Sequence, residues 1–199
     1  MNMNDSDWPR ILAERLFAQR VVLLHGVLND ANATRVSAEL MTLDAEGDEA
    51  VTLRIDSAEG SLALALTLMD VIELLGVPVR ALCLGQVGGP AIGVLSVCSH
   101  RAVMPSTRFS LREPSTQMET RAREVEQWVK LRADERRRFV ERVAAATGQP
   151  ASAVADSFSV GTFMSASEAL DYGLIDEISR RPGEIHQMPG PPIGFRPSR

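Results

Sequence analysis

The chain has 199 residues, 45% of them hydrophobic, and a formal net charge of −5. That length builds one domain with a sizeable core and falls short of two ordinary ones. The acidic balance argues against nucleic acid or an anionic membrane as the main partner, and no apolar stretch is long enough to span a bilayer, since Asp70 and Glu73 interrupt the best candidate, LALALTLMDVIELL.

The opening segment MNMNDSDWPR carries no basic stretch ahead of an apolar run, so no signal peptide is expected and the reading is a cytoplasmic protein. Val21–Leu24 is a short β-branched and apolar run ended by Gly26, the pattern of a buried strand. After it, Asn29 or Asp30 can cap a helix whose Val36, Leu40 and Leu43 recur at helical spacing. Val51–Ile55 predicts a second strand, ending in the turn Asp56-Ser57-Ala58-Glu59-Gly60, and Ser61–Leu75 an apolar helix. Pro78–Leu84 predicts a third strand, followed by a turn through Gly85–Pro90 and another apolar helix to about Ser99. Short strands are expected at Ala102–Met104 and Phe109–Leu111. This strand–turn–helix order implies an α/β fold with parallel strands and right-handed crossovers. In such folds the turns after the strands are the usual place for a site.

Glu119–Thr147 predicts a long helix with Val125, Trp128, Val129, Phe139, Val140, Val143 and Ala144 on its apolar face. Its many arginines read more simply as a solvated face with local ion pairs than as a docking surface. Ala151–Phe158 is expected to be a short helix. Ser165 and Glu168 have the form of a capping box for the helix that ends at Gly173, and Leu174–Ile178 should close the sheet. The tail, 182–199, is rich in Pro and Gly and is expected to be disordered. Cys83 and Cys98, the only cysteines, sit in apolar surroundings and read as buried free thiols. No motif calls for a cofactor or a metal.

Five segments in order carry a family resemblance: ILAERLFAQRVVLLHGVLND, VTLRIDSAEGS, CLGQVGGPAIGVL, MPSTRFSLREPS and FMSASEALDYGLIDEI. Together they resemble the proteolytic subunit of the Clp protease, from about Ile11 to Ile178. The resemblance implies a crotonase-like domain over 1–181 with a strand–helix handle at about 115–147. It also implies stacked rings of seven, formed alone or with an active Clp subunit, and an ATPase that docks on them. The segment before Ile11 is shorter than the family's usual one, which puts engagement of the ATPase in question.

By the same resemblance, the nucleophile, base and carboxylate positions of the family's Ser–His–Asp triad fall on Gly89, Arg112 and Gly161. Glycine has nothing to attack with, and arginine stays protonated, so it cannot act as a general base. The oxyanion loop falls on Glu59, Gly60 and Pro90. A Glu59–Arg112 ion pair plugging the vacated site is expected, because a guanidinium in a partly closed pocket needs a partner. The leading reading is a catalytically degenerate subunit that acts by structure or regulation. One alternative is a serine endopeptidase with a relocated triad, drawing on Ser57, Ser61 or Ser96 and on His25, His100 or His186. The other is an acyl-CoA-binding or -converting protein that uses Glu59 and Glu113.

Overall fold

A computed structural model describes residues 8–113 and 125–179. The elements run α1 (Trp8–Phe17), β1 (Val21–His25), α2 (Asp30–Glu46), β2 (Val51–Ser57), α3 (Leu62–Leu74), β3 (Val79–Gly88) and α4 (Pro90–Ser96). They continue with β4 (His100–Val103), β5 (Arg108–Leu111), α5 (Val125–Thr147), α6 (Ala151–Val160), β6 (Thr162–Ser165), α7 (Ala166–Tyr172) and β7 (Glu177–Ile178). The sheet order is β1-β2-β3-β4-β7, with β5 paired to β3 and β6 paired to β5. All of these pairings are parallel except β5–β6. The expected α/β architecture is therefore present. The tail and residues 115–124 of the expected handle lie outside the described residues.

Strand alternation decides which face is buried. In β2, Val51, Leu53, Ile55 and Ser57 face the core, while Thr52, Arg54 and Asp56 are only partly covered. The helices supply the other half of the core: Leu40 and Leu43 from α2, Leu68 and Met69 from α3, Ile92 and Leu95 from α4, and Phe139 and Val143 from α5. Burial of this apolar surface is the main favourable term for the fold. The Asn29 side chain accepts a hydrogen bond from the Asn32 N–H and caps α2, and Ser61 caps α3. The capping box of Ser165 and Glu168 is formed, with both reciprocal bonds. Among the α5 arginines, Arg132, Arg137 and Arg138 pair within the helix and Arg142 pairs with Asp70 and Glu73, so the arginine-rich surface is neutralised rather than basic. Among the described residues, no helix is long and apolar enough to cross a membrane.

Two expectations are corrected. Gly85–Gly88 does not belong to a turn but to β3, which pairs with β4 over Arg80–Cys83 and with β5 over Gln86–Gly88. The strand changes partner at Gly85, whose φ is +56° and where an added Cβ would lie 2.5 Å from Asp56 Oδ1. That carboxylate accepts the Gln86 N–H and holds the bend. The second correction is β6, which was not expected. Its four residues are too few to show a period of two, and it forms only because β5 offers an antiparallel partner. Both corrections concern the small layer of β3, β5 and β6, which is the layer that carries the site.

Candidate functional site

The site is built where β3 gives way to α4. Gly89 is the joint, with φ +48° and ψ −123°, and its N–H donates to the Ser110 carbonyl at 2.9 Å. This backbone holds any side chain at position 89 out of the strand and ahead of the helix. A strained strand-to-helix turn of that kind is how several hydrolases expose a nucleophile. A Cβ on Gly89 would lie 3.2 Å from the Ala58 carbonyl oxygen and 3.6 Å from the Arg112 carbonyl oxygen. Gly161 ends α6 in the left-handed conformation, and a Cβ there would lie 3.8 Å from Arg112 Cγ. Residues 89, 112 and 161, far apart in sequence, are thus brought together, with Arg112 between the two glycines. No nucleophile, base or carboxylate stands among the three.

The loop beside Gly89 is pinned by Leu28 through two hydrogen bonds. Leu28 donates its N–H to the Glu59 carbonyl and accepts from the Ser61 N–H at 2.9 and 3.0 Å. Gly60 lies between them at φ +146°, and a Cβ there would come within 2.4 Å of the Leu28 oxygen, so only glycine permits the approach. The Gly60 N–H has no hydrogen-bond partner among the described residues, as an oxyanion donor requires. A second donor would come from the residue after position 89. That residue is Pro90, which has no N–H. Its absence is legible in the sequence, because proline at a donor position needs no structure to interpret.

These elements enclose an open cleft of about 860 Å³ that includes Leu28, Glu59, Gly60, Gly89, Pro90 and Arg112 in its wall. A smaller apolar recess of about 170 Å³ adjoins it, sharing Leu62, Glu113 and Arg132 and lined further by Trp128, Phe139 and Phe158. The Phe139 and Phe158 rings meet edge to face, 5.4 Å between centroids, and fix its floor.

Glu59 and Arg112 line the same cleft but form no ion pair, so the expected plug is not made. The Arg112 guanidinium instead sits over the Phe163 ring, 5.3 Å from its centroid. Both residues are exposed, where such a contact contributes about 0.5–1 kcal/mol. The surface position removes the need for a partner that the expectation rested on. Glu113 is engaged elsewhere, with Arg136 at 2.7 Å. The carboxylate pair of the acyl-CoA alternative is therefore split, one member being held in an ion pair.

The side chains for a relocated triad do not converge either. His25 Nδ1 lies 3.2 Å from Asp56 Oδ2. Ser57, next in the strand, turns its hydroxyl into the core, where it is buried without a partner. Ser61 lines the cleft as the cap of α3, with no histidine in the lining beside it, and Ser96 donates to the Gly93 carbonyl at 2.7 Å. His100 starts β4 beside Asp176 and Glu177, at the N-terminal end of the strands, whereas Gly89 follows the C-terminal end of β3. His186 lies outside the described residues. Cys83 and Cys98 are buried and free. Burial pushes the Cys98 thiol up to about 12 and raises Cys83 as well, so neither offers a thiolate near neutral pH. Among the described residues no cluster of His, Cys, Asp and Glu could hold a metal ion.

Comparison with known proteins accounts for this layout. The family model described as Clp protease matches residues 5–182. The ATP-dependent Clp protease proteolytic subunit 2 of Thermobifida fusca (strain YX) is 31% identical over 175 residues, covering 83% of each chain. With its strand–helix joint at Gly89 and its mostly parallel sheet, the chain belongs to the Clp protease family.

Proposed function

We propose that the chain is a non-catalytic subunit of a Clp-type assembly, acting by structure or regulation. The observation that supports this is that Gly89 and Arg112 line one cleft, with Gly161 against the Arg112 side chain, and that the three carry no hydroxyl, imidazole or carboxylate. A triad works only as a hydrogen-bonded unit of nucleophile, base and orienting acid. Pro90 adds a fourth departure, since it removes an oxyanion donor. The protein forms rings, alone or with an active paralogue, and a Clp ATPase is the expected partner of such rings. The N-terminal half of α5 is the contact we assign to ring stacking, because Val129 and Leu131 are more than half exposed there.

The purified chain, freed of host protease, is to be assayed against short fluorogenic peptides and sized by light scattering. No cleavage is expected, and the particle should be far larger than the 21.7 kDa chain. Sustained cleavage that a serine-directed inhibitor stops would overturn the non-catalytic reading. A monomer at every concentration would overturn the assembly.

A further inference from the structure

The vacated cleft contains Arg112, a cation that meets no carboxylate among the described residues. Four other charged groups line it. Arg132 is paired with Glu135 at 3.0 Å, and Glu113 with Arg136 at 2.7 Å. Asp30 and Glu59 also line the cleft, from α2 and from the loop pinned by Leu28. Arg112 has no carboxylate partner among the described residues; its guanidinium rests on an exposed phenyl ring, a contact that a bidentate carboxylate would readily replace. Gly89 and Gly161 leave the space on either side of Arg112 without side chains.

We infer that this cleft is a receptor for peptides through their free C-terminal carboxylate, which pairs with Arg112. The inference rests on the non-catalytic reading above. Three features select the α-carboxylate. The apolar recess opens directly off the cleft, so one residue can place its side chain against Phe139 and Phe158 while its own carboxylate stays in the cleft. Only a C-terminal residue carries an apolar side chain and a carboxylate on one Cα. The Gly60 N–H, left unbonded by the Leu28 contact, supplies a further donor to that carboxylate or to the preceding carbonyl. Finally, Asp30 and Glu59 also line the cleft and favour a basic residue upstream of the terminal one, which gives the bound peptide one direction. Peptide hydrolysis creates one such C-terminus for every bond cut. The ligands are therefore supplied by proteolysis in an active neighbour, and the chain is a site where products are held.

The test is calorimetric titration of the purified protein with N-acetylated hexapeptides that carry a lysine at the third position and leucine at the sixth. One peptide ends in the free acid, a second in the carboxamide, and a third is a carboxamide with aspartate in place of leucine. The free acid should bind about tenfold more tightly than its amide, and Arg112→Gln should abolish that difference, with Arg112→Lys restoring part of it. Equal affinity of acid and amide, an acid preference that survives Arg112→Gln, or no binding of either would overturn the inference. So would Arg112-dependent tight binding of the aspartate amide, since that would assign the site to a side-chain carboxylate. Mass spectrometry of the same mixtures separates the two claims. Cut peptide would contradict the non-catalytic reading, while the acid-over-amide ratio alone decides the carboxylate site.

Discussion

Gly89→Ser is the smallest change that returns a hydroxyl to the cleft, and its outcome can be worked out before it is made. At φ +48° and ψ −123° the joint lies where an L side chain is strained, at about 1–3 kcal/mol. The new Cβ would sit 3.2 Å from the Ala58 carbonyl oxygen, close enough to require a small shift of that loop. For a chain of this size each kcal/mol lowers Tm by about 2–4 °C, so the variant should melt roughly 2–12 °C below the parent in the same assembly state. It should gain no peptidase activity. Arg112 cannot take the serine proton, Gly161 orients nothing, and Pro90 withholds a donor. Adding Arg112→His and Gly161→Asp restores the triad in composition but leaves the oxyanion site with one N–H. Pro90→Ala on top of those three should then raise kcat by about 10²–10³-fold, the usual worth of one such donor. Tm by calorimetry and turnover of a fluorogenic peptide read both effects. Turnover by Gly89→Ser alone would refute the reasoning about the base, and an unchanged Tm would refute the reasoning about strain.

The remaining expectations are simpler to check. Cys83 and Cys98 should resist a thiol reagent at pH 8 until the chain unfolds, and labelling that outruns unfolding would contradict their burial. Their raised thiol pKa values also set a sign. The unfolded chain loses these protons from about pH 8.5, whereas the folded chain keeps the Cys98 proton to about 12. Stability is therefore fully present below that range and falls as pH rises through it, by about 1.4 kcal/mol per pH unit for each thiol. Replacing Cys98 by alanine should flatten the slope of denaturation midpoint against alkaline pH, and an unaltered slope would show the assignment wrong.

The parts of the fold that could be read from sequence are those with local causes. The caps at Asn29, Ser61 and Ser165 rest on side chains bonding to backbone within three residues, and all three form. The first two strands declare themselves as short apolar and β-branched runs, and α2 by the helical spacing of Val36, Leu40 and Leu43. The continuation of β3 past Gly85 does not, because it depends on a carboxylate about thirty residues earlier gripping the Gln86 N–H. Strand β6 exists only through its pairing with β5, a contact across more than fifty residues. The site shows the same division. Gly89, Arg112 and Gly161 could be located by motif, and the loss of a donor at Pro90 follows from residue type alone. The partner of Arg112 could not be located, because it depends on Phe163 being carried outward by the unforeseen strand. The expected pairing with Glu59 assumed a closed pocket, and the cleft is open enough for both side chains to be hydrated.

The central claim is that nothing in this cleft can act as a serine nucleophile. Intact-mass spectrometry of the whole protein after prolonged exposure to a fluorophosphonate probe tests that most directly, with an active Clp proteolytic subunit labelled in parallel as the positive control. The account requires an unmodified mass for this chain under conditions that label the control completely. A single stoichiometric adduct, mapped to any serine of the chain, would contradict it.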